Sequence, residues 1–95
     1  MKIIWTHKAD KENRSNINYL IENWEKKVLV KYLERLKYNI SLIKDNPLIG
    51  KYDELIGYHK ILITKQIHLF YRIDSKANTL YIVSLWNNHK KLYWL

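Results

Sequence analysis

Cysteine is absent from this 95-residue chain, and it has only two glycines and one proline. The absence of cysteine excludes disulfides, thiolate metal sites and thiol nucleophiles, and it fits a protein of a reducing compartment. So little glycine and proline leaves no material for a flexible linker or a low-complexity tail. We therefore expect residues 1–95 to form a single compact domain in the cytoplasm.

Long apolar runs are also missing. A secretory signal needs about 7 to 15 consecutive apolar residues, and a membrane-spanning helix needs about 18. Near the start of the chain, only Ile3, Ile4 and Trp5 separate Lys2 from Thr6. The sequence therefore predicts no signal peptide, no membrane span and no membrane partner.

Positive charge exceeds negative charge, with 17 Lys and Arg residues against 9 Asp and Glu and a net charge of +8. The excess is largest in the last third, where Asp74 is the only acid from residue 60 onwards. Such a field attracts phosphates or an acidic protein segment. The bases in this part are Lys60, Lys65, Arg72, Lys76, Lys90 and Lys91.

The first half of the chain has the spacing of one short strand and two helices. Residues 2–6 are β-branched and aromatic, which suits a strand. From about residue 9 to 23, and again from residue 28 to 43, apolar residues recur every three or four positions, as on one face of a helix. A break near residues 23–25 predicts a helical hairpin, and Pro47 ends the second helix.

The second half changes to a pattern typical of strands. Residues 48–57 lack a clear period and are predicted to be an ordered loop. The segments 59–64, 67–73 and 80–86 are rich in Ile, Leu, Val and Tyr, and short polar connections separate them. They predict a three-stranded antiparallel meander. The expected class is α+β, with the helices packed on one face of the sheet.

Alternation in the middle strand of the meander assigns its side chains to two faces. His68, Phe70 and Arg72 are expected on the face that is open to solvent. The set expected to pack on the helices is Ile67, Leu69, Tyr71 and Ile73.

Several kinds of chemistry can be excluded from motif spacing. The four histidines, at positions 7, 59, 68 and 89, do not have the short spacings of a zinc site. Gly50 and Gly57 precede a predicted strand rather than a helix, so they do not form a phosphate-binding loop. No serine lies in a nucleophile-elbow motif. We expect neither a metal nor any other cofactor.

Metal-free phosphodiester cleavage remains possible, because it needs only a base, an acid and cations around the phosphate. The catalytic candidates are His68, Arg72, His89 and Tyr93. A structural interpretation stays open for each of them: an exposed strand histidine is commonly just solvated, and Arg72 can pair with Asp74. Candidates for binding nucleic acid or an acidic partner are Lys60, Lys65, Lys90, Lys91 and Trp86.

The order of elements and six short segments, which together span nearly the full chain, resemble the RelE/ParE superfamily of bacterial toxins. The resemblance is greatest to the ParE-like plasmid-stabilisation proteins, and it depends on the order and spacing of the segments rather than on any one of them. The segments are Lys2-Ile3-Ile4-Trp5-Thr6 with Ala9, Tyr19-Leu20-Ile21-Glu22-Asn23-Trp24, Asn46-Pro47-Leu48-Ile49-Gly50, Lys60-Ile61-Leu62-Ile63-Thr64-Lys65-Gln66, Phe70-Tyr71-Arg72-Ile73 and Trp86-Asn87-Asn88-His89-Lys90-Lys91-Leu92.

The resemblance implies the toxin of a type II toxin-antitoxin pair, kept silent by a cognate antitoxin protein. RelE-like members enter the ribosome and cut messenger RNA with basic residues on the open sheet face. ParE-like members keep the fold but lack most of that set, and they poison DNA gyrase.

This chain departs from the ribonuclease pattern at two positions. His68 stands where RelE-like enzymes have an arginine, and Asn87-Asn88-His89-Lys90 replaces an arginine after the last strand. Lys60 and Tyr93 match a basic residue and the C-terminal tyrosine of that set. A ParE-like toxin whose molecular target is left open, with DNA gyrase as one candidate, is therefore the leading hypothesis. A ribosome-dependent endoribonuclease is the alternative, and a binding module that kept the fold without toxicity is a further one.

Overall fold

The computed structural model describes residues 1–88, which form a five-stranded mixed sheet with two helices against one face. The predicted α+β class, helical hairpin and antiparallel meander are thereby confirmed. The elements are β1 (Lys2–Trp5), α1 (His7–Asn23), α2 (Lys26–Asp45), β2 (Lys51–Asp53), β3 (Tyr58–Leu62), β4 (Ile67–Asp74) and β5 (Thr79–Asn87).

The helix ends follow from local chemistry. Thr6 caps α1, because its side-chain oxygen accepts a hydrogen bond from the backbone N–H of Ala9. The chain turns extended at Trp24 and Glu25, which is the break that the sequence predicts between the two helices. Helix α2 ends at Asp45, because Pro47 follows and disfavours a helical conformation in the residue before it.

The sheet has the order β1-β5-β4-β3-β2. Strands β2 to β5 are antiparallel neighbours, whereas β1 pairs parallel with β5. The helical hairpin carries the chain from β1 at one edge of the sheet to β2 at the other. The prediction of a loop throughout residues 48–57 was wrong at Lys51–Asp53, which forms β2 against the edge of β3. Three residues are too few to show a period, so this strand depends on its partner.

The core lies between the helices and the apolar side of the sheet. The helix side of the predicted alternation in β4 is confirmed, since Ile67, Leu69 and Tyr71 are buried in the core and Ile73 packs against it. The expectation that Phe70 is open to solvent was wrong, because its side chain lies on the other face but is only 3% exposed. The helices, the turn between β3 and β4, and β5 contribute Ala9, Leu20, Tyr32, Leu36, Ile43, Ile63, Leu80, Ile82 and Leu85.

A β-bulge lies in β5, because Phe70 pairs with Ser84 but Tyr71 pairs with Ile82. The extra residue on β5 is Val83, and a bulge of this kind bends and twists the strand. Ser84 is completely buried and donates a hydrogen bond of 2.8 Å to Oε1 of Glu12 on α1. A partly buried hydrogen bond thus connects the bulged strand to the first helix.

Neither of the two helices in residues 1–88 is long and apolar enough to cross a membrane.

Candidate functional site

The sheet face that the helices leave uncovered, called the open face here, carries cationic and aromatic side chains from four strands. Cross-strand pairs place them in rows, with Lys51 opposite Lys60, Lys60 opposite Phe70, and His68 opposite Trp86. Side chains that are directly opposite lie on the same face. The open face is defined by Lys51, Lys60, His68, Phe70, Arg72, Tyr81 and Trp86.

His68 lies half-buried in an aromatic environment. Its ring meets the ring of Trp86 edge-on, with 5.3 Å between centroids, and is stacked on Phe70 at 6.4 Å. Its Nδ1 atom is buried and has no hydrogen-bond partner among residues 1–88. Desolvation and, secondly, the charge of Lys60 lower the pKa of His68 below its ordinary value of 6.5. His68 is therefore a neutral imidazole at neutral pH.

This environment predicts that His68 makes stability depend on pH. The folded protein binds a proton at His68 less readily than the unfolded chain, so acid favours unfolding. The stability due to the neutral ring is fully present above pH 6.5 and is lost as the pH falls from there through the lower folded pKa. We expect His68→Gln to lose less stability than the wild type between pH 7.5 and 5, as measured by urea unfolding. If the unfolding free energy of the two proteins changes with pH in the same way, the proposed half-buried environment of His68 would be contradicted.

Arg72 lies on the same face but is held away from His68. Its guanidinium carbon stands 4.1 Å from the centre of the Tyr81 ring, in a cation-π contact. Arg72 lies four positions after His68 in β4, which corresponds to about 13 Å along the strand at the usual rise per residue. The buried side chain of Phe70 lies between them. The two side chains therefore do not converge on one point.

Two acidic side chains at the margins of the open face accept hydrogen bonds from backbone N–H groups in neighbouring turns. Asp53 accepts a hydrogen bond from the N–H of Leu55 at 2.9 Å, and Asp74 accepts one from the N–H of Ala77 at 3.1 Å. No ion pair forms between an acid and the cations of this face within residues 1–88. The face keeps a positive field, as the charge distribution in the sequence predicts.

The structure brings together some of the residues predicted from the sequence. Lys60, His68 and Trp86 are neighbours on the open face, and Arg72 shares that face at a distance. Lys65 lies in the turn between β3 and β4 and lines a groove on the helix side of the sheet. The candidates His89, Lys90, Lys91 and Tyr93 lie outside the described residues.

The sequence interpretation missed two contributions to the open face. Lys51 lies in a segment that the sequence predicts to be a loop, because the three residues of β2 are too few to show a strand period. The sequence does not indicate that Tyr81 contacts Arg72, because this contact depends on the pairing of the two residues across β4 and β5. The position of Lys51 on the open face and the contact of Tyr81 with Arg72 both depend on the strand register, which the sequence does not give.

The groove on the helix side, called the hairpin groove here, has a volume of about 320 Å³. It opens between the tip of the helical hairpin and the turn that joins β3 to β4. Leu20, Trp24 and Val28 line it from the helices, and Ile67 and Asn87 line it from the sheet. Its cationic residues are Lys31, Arg35 and Lys65.

A family model described as the ParE toxin of the type II toxin-antitoxin system, parDE, matches residues 3–92. No protein with a curated functional description gives a significant match to the chain.

Solved structures with similar folds include toxins of such systems. The chromosomal ParDE toxin-antitoxin system from P. aeruginosa superposes with a TM-score of 0.73 at 13% identity, covering 92% of this chain and 95% of that chain. A YoeB/ParE toxin from Agrobacterium tumefaciens gives 0.65 at 17% identity, with 92% and 98% covered. The YoeB-YefM toxin-antitoxin complex from Staphylococcus aureus gives 0.61 at 18% identity, with 90% and 94% covered. At these identities the superpositions show a shared fold.

Proposed function

Because the chain belongs to the ParE toxin family of type II toxin-antitoxin systems, we propose that a cognate antitoxin keeps it silent and that the released toxin poisons DNA gyrase. The toxin function itself follows from the family match, which spans residues 3–92. Structures of the ParDE and YoeB-YefM toxin-antitoxin systems share the fold and support a protein antitoxin as the partner. Toxin, antitoxin and target would then all meet in the cytoplasm.

The separation of His68 from Arg72 supports gyrase over messenger RNA as the target. Cleavage of RNA requires a base and a stabilising cation within hydrogen-bond reach of the same phosphate group. About 13 Å of strand separates these residues, and Arg72 lies over the ring of Tyr81. His68 and Arg72 are therefore not placed to act as base and cation on the same phosphate.

The alternative, a ribosome-dependent endoribonuclease, is favoured by one specific observation. His68 has a lowered pKa and a buried Nδ1 that lacks a partner in the described part of the chain, and Lys60 provides a positive charge close by. A neutral imidazole next to a cation is chemically able to accept a proton from a 2′-hydroxyl group. His68 is therefore the residue at which the two hypotheses give different predictions.

Induction of the toxin without its antitoxin separates the hypotheses. For the wild type, we expect filamentous growth and induction of a DNA-damage reporter before methionine incorporation falls. We expect His68→Ala, tested as a folded protein, to keep at least about half of the wild-type reporter signal, because its ring has no role in gyrase poisoning.

The control is Tyr38→Ala, an exposed substitution on α2 far from the open face. The opposite outcome is that the wild type loses methionine incorporation abruptly without reporter induction and that His68→Ala no longer kills. That pair of results would contradict the gyrase proposal and support the ribonuclease hypothesis. Absence of any phenotype in the wild type would favour the non-toxic binding module.

A further inference from the structure

Strand β2 forms one edge of the sheet, so its outer side has no neighbouring strand among residues 1–88. The N–H of Gly57 donates a hydrogen bond of 2.8 Å to the carbonyl of Asp53 where the β2–β3 turn closes, so the backbone groups of Asp53 face β3. Successive residues of an antiparallel strand direct these groups to opposite edges. The N–H and C=O of Tyr52 therefore point outwards, where a further strand can bond to them.

The three residues of β2 are self-complementary in charge. An antiparallel copy of the strand centred on Tyr52 places the two tyrosines opposite each other and places each Lys51 opposite Asp53 of the other copy. Residues directly opposite in such a pair lie on the same face with their Cβ atoms about 5 Å apart, and opposite charges there stabilise the pairing. Asp53 keeps one carboxylate oxygen for this contact, since its Oδ1 atom accepts the bond from Leu55.

Lys51 has an unfavourable neighbour within its own chain. Its partner across the β2–β3 ladder is Lys60, and like charges directly opposite each other destabilise a sheet. Lys51 forms no ion pair with another residue in the described part of the chain. A carboxylate on the outer side of β2 would offset this repulsion, and a second copy of the strand provides one.

Exposed apolar side chains lie around the same edge. The half-exposed ring of Tyr52 meets His59 edge-on, with 5.1 Å between centroids, on the side of the sheet opposite to Lys51 and Lys60. Leu48 and Ile49, in the loop that leads into β2, are exposed as well. A two-fold axis between the paired tyrosines brings this apolar patch of one copy next to the same patch of the other.

The other edge of the sheet lacks this symmetry. In an antiparallel copy of β1 centred on the strand, Lys2 would stand opposite Trp5, and the strand contains no acid. The net charge of +8 opposes association of two chains, but in physiological salt charges separated by more than about 8 Å are largely screened from each other. The opposite charges at the β2 edge lie well within that distance.

We propose that β2 pairs antiparallel with β2 of a second copy of this chain, so that the dimer has one continuous sheet. The two-fold axis is perpendicular to the sheet, so both helical layers lie on one side and both open faces form a single surface on the other. The interface is small, because each chain contributes three strand residues and one loop, and the dimer is therefore weak. This inference concerns assembly and does not depend on the proposed toxin function.

Sedimentation velocity of the purified chain, over about 10 to 500 µM in about 150 mM salt, tests whether the dimer forms. We expect a monomer-dimer equilibrium with a Kd on the order of 100 µM. A wild-type chain that stays monomeric throughout this range would overturn the proposal.

Charge reversal tests whether β2 is the interface. Lys51→Glu sets acids opposite acids, so we expect Kd to rise about tenfold or more. The control Lys11→Glu reverses an exposed cation on α1 and lowers the net charge equally. Because a lower net charge weakens the general repulsion, the control should dimerise at least as well as the wild type. An equal Kd for the two variants would overturn the assignment to β2.

Exchange of the two charges tests the antiparallel register. Asp53→Lys alone should also raise Kd about tenfold, because lysines then face lysines. Mixed with Lys51→Glu, it meets acids at both positions and should form a heterodimer at least as tight as the wild-type dimer. The double variant Lys51→Glu/Asp53→Lys keeps the net charge and should recover a Kd within about threefold of the wild type. Failure of both combinations in proteins that melt as folded chains would overturn the register.

Hydrogen exchange at the Tyr52 amide tests the same pairing without any substitution. This N–H points to solvent in the monomer, so we expect it to exchange about threefold more slowly at 500 µM than at 10 µM, at the Kd given above. Amides of β4, in the middle of the sheet, are the control and should not change.

An unchanged rate at Tyr52 would overturn the dimer. Protection that appears only after addition of the protein encoded by the reading frame adjacent to the toxin gene would also overturn it, and would assign the edge to a strand of that partner instead.

Discussion

Leu69→Ala is expected to lower the free energy of unfolding by about 3 kcal/mol or more. Leu69 is completely buried, lies in the middle of β4 and faces the helices. Removal of three carbon atoms there leaves a cavity that the surrounding side chains fill only in part. Urea unfolding of the purified protein measures the loss.

The matched control is Leu62→Ala on the neighbouring strand β3. Leu62 pairs with His68 on the open face, and its side chain is 54% exposed. We expect it to cost less than about 1 kcal/mol. Equal losses for the two variants would mean that the helices do not cover the face that carries Leu69, and the assignment of the open face would then be wrong.

Gly50→Ala is expected to destabilise the protein by about 2–4 kcal/mol. A β-carbon at Gly50 would lie 2.6 Å from the hydroxyl oxygen and 2.8 Å from Cε1 of Tyr71. The ring cannot withdraw easily, because its hydroxyl accepts a hydrogen bond from Gly50 N at 2.9 Å and donates one to the carbonyl of Pro47 at 2.7 Å. Burial raises the pKa of Tyr71, so this hydroxyl stays protonated and able to donate.

In a domain of this size, the stability lost in Gly50→Ala corresponds to a fall of roughly 10–20 °C in Tm. Gly57→Ala is the control, since Gly57 has open space around it and a φ of 76°, so its cost of about 1–2 kcal/mol comes from the backbone alone. Tyr71→Phe should reduce the additional cost of Gly50→Ala by about 1 kcal/mol, because the nearest atom in the clash is gone. If the losses in unfolding free energy of Gly50→Ala and Tyr71→Phe simply add in the double variant, the close contact between Gly50 and the Tyr71 hydroxyl would be contradicted.

The elements that the sequence predicts correctly are those with a local cause. Both helices have apolar residues at helical spacing, Thr6 provides an N-cap, and Pro47 limits the second helix. The two faces of β4 follow from alternation over eight residues, which is enough to fix the orientation of its side chains.

The features that the sequence could not predict depend on partners far away in the chain. Strand β2 is only three residues long and exists through its pairing with β3. The extra residue Val83 in β5 becomes visible only when the register of β4 and β5 is known. Tyr71 bonds to Pro47 across 24 residues, and no periodicity signals a contact of that kind.

The site shows the same division between local and distant causes. Alternation places His68 and Arg72 on one face, as expected, but strand geometry keeps them apart, and the partner of Arg72 is Tyr81 rather than Asp74. The hairpin groove joins side chains from α1, α2 and the ends of β4 and β5, so it appears only in the folded chain. The catalytic roles assigned to His68, Arg72, His89 and Tyr93 stay predictions.

Supercoiling of relaxed plasmid by DNA gyrase, measured with the purified chain, tests the central claim most directly. The account predicts that the toxin inhibits supercoiling and that the product of the adjacent reading frame restores it. It also predicts that the same toxin leaves messenger RNA intact in a translating extract. Full gyrase activity in the presence of toxin, with messenger RNA cut on the ribosome, would contradict it.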